Sequence, residues 1–266
     1  MDQSGEPLMG SNDAFLNVGT GQNCRRIAWQ QEEGGQPGLF WLGGFKSDMS
    51  GTKAQALAEM AGTMGLGITR FDYSGHGRSE GDVVRGSISD WLEESEAVFA
   101  RTRGPQILVG SSMGAWLALL LNQRVNAKGP GRVAGMVLIA PAVDMTRDLM
   151  AAHFDEKDRQ TLKDTGQVAL PSDYGDPYII TGAFLADGER HLLLKGPIRT
   201  HCPVIILQGG QDRAVPVDHA LKLVHHLLED KVVFTLVPDG DHSLSRPQDL
   251  ELLADSVKRL VAETTG

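Results

Sequence analysis

Short runs of consecutive apolar residues alternate along this chain with longer segments whose apolar positions recur every three or four residues. The runs predict β-strands covered on both faces, because several are rich in Val, Ile and Leu and are bounded by Gly or Pro. The predicted strands read RRIAWQ, GLFWLGG, GITRFDYS, QILVGS, RVAGMVLIAP, CPVIILQGG and VVFTLVPDG. The predicted helices cover residues 53–64, 88–101, 113–125, 218–229 and 247–263. This alternation indicates crossover connections, so we expect an α/β fold with a mostly parallel sheet and helices on both of its faces.

One interval breaks the alternation. About sixty residues separate the strand that ends at Ala140 from the strand that starts near Cys202, which is far more than an ordinary loop needs. Residues from about 144 to 200 have the pattern of short helical pieces, with a turn at PSDYGDP. An insertion after a strand of an open α/β sheet lies at the edge where ligands bind. We therefore predict a single domain over residues 1–266 with a small helical cap at about 144–200.

Two adjacent serines stand in the stretch VGSSMGAW, between a predicted strand and a predicted helix. Only Ser112 fits the pattern Gly-x-Ser-x-Gly, because Gly110 and Gly114 lie two positions away on either side. Ser111 is flanked instead by Val109 and Met113. In this motif the glycines permit a sharp strand-to-helix turn that presents the serine as a nucleophile. The same pattern also fits a glycine-containing turn between a strand and a helix that has no catalytic role.

A nucleophilic serine needs a base, and the base needs an acid that orients it. Asp212 follows the predicted strand PVIILQGG, and His242 follows the last predicted strand. Both residues therefore fall on the same sheet edge as Ser112, in the chain order Ser, Asp, His. We expect Ser112, Asp212 and His242 to form a catalytic triad. Asp144, which follows the strand LIAPAV, is the alternative acid.

These residues give the chain a resemblance to the α/β hydrolases over nearly its whole length. The stretches FWLGGFKSDMSGTKA, RFDYSGHGRSEG and GPQILVGSSMGAWLALL are similar to a narrower branch, the mitochondrial palmitoyl-protein thioesterases that also cleave acyl glucuronides. The resemblance implies a serine hydrolase of the carboxylesterase or thioesterase class and carries the triad roles onto Ser112, Asp212 and His242. It leaves the substrate open, because hydrolases with this triad cleave many different bonds.

An oxyanion formed in such a reaction needs two backbone N–H donors. One is expected to be Met113, the residue after the nucleophile, at the start of a helix whose dipole favours negative charge. The other belongs to the loop after the strand GLFWL, where many relatives begin with His-Gly. Here Gly43, Gly44 and Phe45 stand at that place, which assigns the second donor to Phe45.

The predicted acyl-binding surface is apolar. Besides Phe45 and Met113, it consists of four cap residues, Met145, Leu149, Phe154 and Phe184. If these residues line a pocket, medium or long acyl chains are favoured, and charged acyl groups are disfavoured because this set offers no partner for a charge. The alternative is that the four cap residues only pack the cap onto the domain.

Composition and charge narrow the remaining possibilities. The net charge of −9 argues against a nucleic-acid partner, and no apolar run reaches the roughly 18 residues of a membrane span. Cys24 and Cys202 have no metal-like spacing and are expected to be free thiols. In SGHGRSEG, Glu80 stands where the third glycine of a dinucleotide-binding motif belongs. We expect no cofactor and no metal, and the absence of a signal or transit pattern predicts a cytoplasmic protein.

Two other functions stay open at this point, as does the oligomeric state. A serine peptidase that acts on short peptides would use the same triad, but would need an acidic anchor for a free amino terminus. A binding protein on a non-catalytic hydrolase fold is the alternative that is not an enzyme. In either case the expected partner is a small-molecule or acylated substrate.

Overall fold

The structure is a computed structural model that describes residues 14–170, 177–228 and 231–265. Its strands are β1 (Ala14–Val18), β2 (Arg25–Glu32), β3 (Gly35–Leu42), β4 (Leu66–Phe71), β5 (Gln106–Ser111), β6 (Val133–Ile139), β7 (Gln167–Leu170), β8 (Tyr178–Thr181), β9 (Val204–Gly209) and β10 (Val232–Val237). Its α-helices are α1 (Thr52–Met64), α2 (Ile88–Phe99), α3 (Met113–Lys128), α4 (Glu156–Thr165), α5 (Gly182–Gly188), α6 (Val217–His226) and α7 (Pro247–Thr265).

Eight strands form one sheet in the order β1-β2-β4-β3-β5-β6-β9-β10. Strand β2 pairs antiparallel with β1 and β4, and the other pairings in this sheet are parallel. The predicted α/β fold is confirmed, and the seven predicted strands and five predicted helices are all present. Strand β1 was not predicted, because AFLNV is short and only alternately buried at the antiparallel edge of the sheet.

The central strands are buried on both faces because alternate residues enter two separate cores. In β3, Phe40 and Leu42 face one core while Leu39 and Trp41 face the other. Apolar residues of α2, α3 and α6 cover the first face, and apolar residues of α1 and α7 cover the second. This two-sided burial is the physical reason for the unbroken apolar runs in the sequence.

Residues 144–200, which lie between β6 and β9, are called the cap segment after the sequence prediction. It contains a π-helical turn (Thr146–Met150), a 3₁₀ turn (Ala151–His153), α4, the strands β7 and β8, and α5. The sequence predicted only helical pieces here, whereas β7 and β8 form an antiparallel pair. The predicted turn PSDYGDP spans residues 171–177, of which all but the last lie outside the described residues. Buried cap side chains join the same core as the sheet, so the cap packs directly on the domain.

Two further sequence expectations concern the cysteines and the membrane. Cys24 is exposed, Cys202 is buried, and no disulfide joins them. Among the described residues, no helix combines the length and the apolar character that crossing a bilayer requires.

The first testable prediction concerns the packing of α3 against β3. A Cβ atom at Gly114 would overlap the carbonyl oxygens of Leu42 and Gly43, whereas a Cβ atom at Gly62 in α1 would meet nothing within 4 Å. We therefore expect Gly114→Ala to destabilise the protein by about 1–3 kcal/mol, because backbone atoms must move to admit the methyl group. Gly62→Ala is the matched control and is expected to be neutral or to stabilise by up to about 1 kcal/mol. Thermal unfolding measures both, and equal effects of the two substitutions would contradict this account.

Candidate active site

Ser112 occupies the sharp turn between β5 and α3. Its φ of 55° and ψ of −118° are rare for a residue other than glycine. Two hydrogen bonds hold the turn: the Ser112 N–H donates to the Ile139 carbonyl at 2.8 Å, and the Ser112 carbonyl accepts from the Ala115 N–H at 3.0 Å. A Cβ atom at Gly110 would overlap the carbonyl of Gly114, so the two glycines of the motif permit this close turn. Backbone strain of this kind is often found at functional sites.

Ser112, His242 and Asp212 form a chain of hydrogen bonds. The Ser112 Oγ and His242 Nε2 atoms are 3.1 Å apart, and His242 Nδ1 lies 2.8 Å from Asp212 Oδ2. Since a carboxylate only accepts hydrogen bonds, Nδ1 donates to Asp212, and the neutral imidazole then presents Nε2 as an acceptor for the serine hydroxyl. This is the arrangement in which a histidine can remove the serine proton.

The Asp212 carboxylate is completely buried and is held by several groups besides His242. Its Oδ1 atom accepts from the backbone N–H groups of Ala214, at 2.9 Å, and Val215, at 2.8 Å. The Gln208 Nε2 group, 3.3 Å from Oδ2, donates from β9 below. These contacts fix the carboxylate plane and so fix the imidazole that it orients.

The loops that carry Asp212 and His242 are joined to each other. Strands β9 and β10 are parallel neighbours, so both loops leave the sheet at the same edge. The Gly210 N–H donates to the Val237 carbonyl at 2.7 Å, and the Gln211 N–H donates to the Gly240 carbonyl at 2.8 Å. The acid and the base therefore keep their spacing through main-chain bonds.

Asp144, the alternative acid, is placed elsewhere. Its side chain is buried, and it accepts from the N–H groups of Leu193 at 2.8 Å and Leu194 at 2.8 Å. Burial raises the pKa of the Asp144 carboxyl, while the two backbone donors and the nearby Arg147 oppose that shift. Asp144 thus ties the start of the cap segment to its end, and it makes no hydrogen bond to His242.

The sequence assigns the backbone N–H groups of Phe45 and Met113 to an oxyanion hole. Phe45 stands in the loop after β3, and Met113 is the first residue of α3. Within the part of the chain that the structure describes, neither N–H group donates to another protein atom. The assignment of these two N–H groups to an oxyanion hole stays a prediction.

A cavity of about 770 Å³ opens beside Ser112 and His242, between the sheet edge and the cap. Met145 and Leu149, two of the predicted acyl-binding residues, line it together with Phe45. Met113, Phe154 and Phe184 are not among the described residues that line it. Met113 is fully buried, and Phe154 and Phe184 are only 5% and 4% exposed, because they pack in the core that the cap shares with the sheet. Phe184 also stacks on Phe45, with ring centroids 5.9 Å apart.

Three cationic residues of the cavity wall were not singled out in the sequence: Lys46, Lys53 and Arg213. Among the described residues, no Asp or Glu lines the cavity and no carboxylate lies within ion-pair distance of these three cations. Lys46 and Arg213 directly follow Phe45 and Asp212, so their positions beside assigned site residues were a usable signal. Lys53 lies on α1, and only the folded chain brings it to the site.

Lys53 is the most buried of these cations. Its amine donates to the carbonyl of Ser243, the residue after His242, and to the Ser245 hydroxyl at 3.3 Å. Burial lowers the pKa of the Lys53 amine to about 8, while the charges of Asp241 and Asp249 oppose that shift. The amine therefore supports the histidine loop from below.

Several known proteins resemble this chain in sequence. A sequence profile of the family described as "Serine aminopeptidase, S33" matches residues 44–169. The mitochondrial palmitoyl-protein thioesterase ABHD10 of Mus musculus is 31% identical over 252 residues, which cover 93% of this chain and 82% of that protein. The chain belongs to the α/β hydrolases. The resemblance seen in the sequence and the expectation of an enzyme of the serine hydrolase class are thereby confirmed.

Solved structures of other α/β hydrolases superimpose on this one. The α/β hydrolase domain-containing protein 10 from mouse gives a TM-score of 0.84 at 29% identity, covering 95% of this chain and 99% of that chain. The crystal structure of a hydrolase from Agrobacterium vitis S4 gives a TM-score of 0.91 at 45% identity, covering 95% of this chain and 99% of that chain. The mouse relative is named as mitochondrial, so the cytoplasmic location stays a prediction from the sequence.

The second prediction separates the two candidate acids. Asp212→Asn is expected to leave the fold intact and to lower kcat by several orders of magnitude, on the order of 10⁴, because the amide no longer enforces the required imidazole tautomer. Asp144→Asn is expected to lower the unfolding temperature, since one cap N–H loses its acceptor, with little change in kcat. Steady-state kinetics and thermal unfolding of both variants provide the test. The reverse ranking of the kcat losses would assign the acid to Asp144.

Proposed function

We propose that this α/β hydrolase cleaves carboxylic esters or thioesters through an acyl-enzyme on Ser112. The observation that carries the proposal is the hydrogen-bonded chain Ser112–His242–Asp212 at the wall of the cavity. Its thioesterase-type relatives support the same class of reaction.

The geometry suggests the order of events. His242 Nε2 accepts the proton of Ser112 as Oγ attacks the acyl carbonyl, and the N–H groups of Phe45 and Met113 stabilise the oxyanion. The alcohol or thiol then departs with the proton held by His242. Water, activated by the same nitrogen, attacks the acyl-enzyme and releases the acid, which returns Ser112 to its starting state. Throughout, Asp212 stabilises the imidazolium.

The acyl chain is proposed to occupy the apolar part of the cavity. Met145, Leu149, Met150 and Leu170 of the cap lie there, opposite the nucleophile loop. Each methylene group buried against such a surface contributes up to about 0.8 kcal/mol. Medium or long acyl chains are therefore the proposed substrates.

The charges of the cavity argue against the peptidase alternative. A peptide's free amino terminus needs a nearby carboxylate, but the described wall carries Lys46, Lys53 and Arg213 without an acid. The sequence led us to expect that any charged acyl group would be a poor substrate. These cations can pair with a negatively charged group, so that expectation no longer holds for negatively charged substrates. The intact hydrogen-bonded chain in turn argues against a binding protein without activity.

The third prediction is a substrate panel. For p-nitrophenyl esters of increasing acyl length, we expect kcat/KM to rise several-fold per added pair of methylene groups until the cavity is full. A matched acyl thioester is expected to be cleaved, and an aminoacyl p-nitroanilide is not. Ser112→Ala, the control for adventitious hydrolysis, is expected to lose at least about 10³-fold in kcat.

Two results of this panel would reject the proposal. Faster cleavage of the aminoacyl anilide than of the esters would favour a peptidase. Ester hydrolysis that survives in Ser112→Ala would show that Ser112 is not the nucleophile. As a test of the cavity charges, an ester with a terminal carboxylate on its acyl chain is expected to be cleaved faster than its amine-terminated counterpart of equal length.

A further inference from the structure

The loop that supplies the Phe45 donor, residues 43–47 (the oxyanion loop), lies directly against the nucleophile. A Cβ atom at Gly44 would stand 3.5 Å from the Cβ atom of Ser112. The loop closes as a turn in which the Ser47 N–H donates to the Gly44 carbonyl at 3.1 Å. Any movement of this turn therefore moves the Phe45 N–H relative to the oxyanion.

The turn adopts a conformation that its sequence does not favour. Lys46, its third residue, has a φ of 59°, in the left-handed region that normally selects glycine at this position of a turn. A lysine persists there only when surrounding contacts hold the backbone in place. Groups outside the loop must therefore supply that restraint.

One restraint acts beyond the turn, from the domain. The buried Asp72 carboxylate accepts from the Met49 N–H at 2.7 Å and from the Arg78 N–H at 2.8 Å. This contact fixes the chain where it leaves the oxyanion loop. It does not touch Phe45 or Lys46 themselves.

The cap contacts both Phe45 and Lys46, while the domain rings of Trp91 and His76 contact Phe45 alone, with centroids 5.8 and 6.1 Å away. Both loop side chains contact Tyr178, the first residue of β8: the Phe45 and Tyr178 ring centroids are 5.6 Å apart, and the Lys46 ammonium lies 4.7 Å from the Tyr178 centroid. The ammonium also donates to the Pro177 carbonyl at 3.4 Å. Behind Phe45, the ring of Phe184 stacks at an interplanar angle of 13°. Two consecutive residues of the oxyanion loop, Phe45 and Lys46, thus pack against the same cap side chain, Tyr178.

We propose that Tyr178 is a positioning residue that holds the oxyanion loop in its active conformation. This inference rests on the proposed function, since it assumes that the Phe45 N–H stabilises an oxyanion. While Tyr178 contacts both loop residues, Lys46 keeps its left-handed backbone conformation and the Phe45 N–H stays directed at the reacting carbonyl. When the Tyr178 side chain is removed, the turn relaxes to another conformation and the oxyanion hole loses the aligned Phe45 N–H donor. Because Tyr178 also lines the cavity, the cap influences the rate of acyl transfer as well as substrate binding.

The test uses p-nitrophenyl acetate, whose acyl group is too short to need the apolar cap surface. Tyr178→Ala is expected to lower kcat by roughly tenfold with little change in KM, less than the roughly 10²–10³-fold cost of deleting an oxyanion donor. Tyr178→Phe keeps the ring that both loop residues contact, so it should recover most of the lost kcat. Gln167→Ala, on the exposed surface of the neighbouring strand β7, is the matched cap control and should leave kcat unchanged.

A second readout depends on the oxyanion hole and needs no leaving group or hydrolysis step. A short alkyl trifluoromethyl ketone forms a hemiketal on a serine nucleophile and needs the hole to hold its oxyanion, so its Ki should rise in proportion to the loss of kcat/KM across these variants. If Tyr178→Ala fails to fold, Lys46→Met replaces it. This substitution removes the ammonium from the ring face and is expected to lower kcat about threefold.

Three outcomes would overturn the positioning role: an unchanged kcat for acetate in Tyr178→Ala, an equal loss in Tyr178→Phe, or a change confined to KM for long-chain esters. In each case the wild type remains an active esterase, so the proposed function survives. Wild-type protein that hydrolyses no ester or thioester would contradict the proposed function itself, and this inference with it.

Discussion

The common direction of five neighbouring strands, β3, β5, β6, β9 and β10, is the constraint on which the site depends. Parallel strands end at one edge of a sheet, so residues far apart in sequence leave the sheet side by side. Phe45 follows β3, Ser112 follows β5, Asp212 follows β9 and His242 follows β10. The cap segment follows β6 and therefore covers the same edge. Strands β3, β5, β6 and β9 are buried on both faces, and β10 is held in register by its parallel pairing with β9, so the sheet sets the spacing of these side chains.

The site also differs in charge from the molecule that carries it. The chain has a net charge of −9, whereas the described cavity wall holds Lys46, Lys53 and Arg213 and no carboxylate. Elsewhere, cations such as Arg25 and Arg246 are paired with acids. For the proposed ester hydrolysis, cations in the cavity wall favour a negatively charged substrate group and disfavour a free amino terminus. The same feature separates the esterase and peptidase interpretations.

The sequence predicted those parts of the protein that follow from local rules. Strands buried on both faces appear as continuous apolar runs, and a nucleophile on a strained turn requires the glycines at 110 and 114, so the sheet and Ser112 could be placed directly. Asp212 and His242 could be placed because each immediately follows a strand. These positions depend on spacing along the chain.

Contacts between distant segments could not be predicted in this way. The apolar character of Phe154 and Phe184 suits a substrate pocket and a packed cap equally well, and only the fold places both rings in the core that the cap shares with the sheet. Lys53 reaches the histidine loop across 190 residues of chain. Tyr178 meets the oxyanion loop because the β7–β8 pair, which the sequence did not reveal, lies over it.

The central claim is that the hydrogen-bonded chain activates Ser112 and not its neighbour Ser111. The most direct measurement is labelling with a fluorophosphonate probe, followed by mass spectrometry of the modified peptide. A serine activated by its base attacks phosphorus as it attacks a carbonyl carbon, so we predict one adduct per protein, on Ser112. The adduct should disappear in Ser112→Ala and persist in Ser111→Ala. An adduct on Ser111, or labelling that survives in Ser112→Ala, would contradict the account.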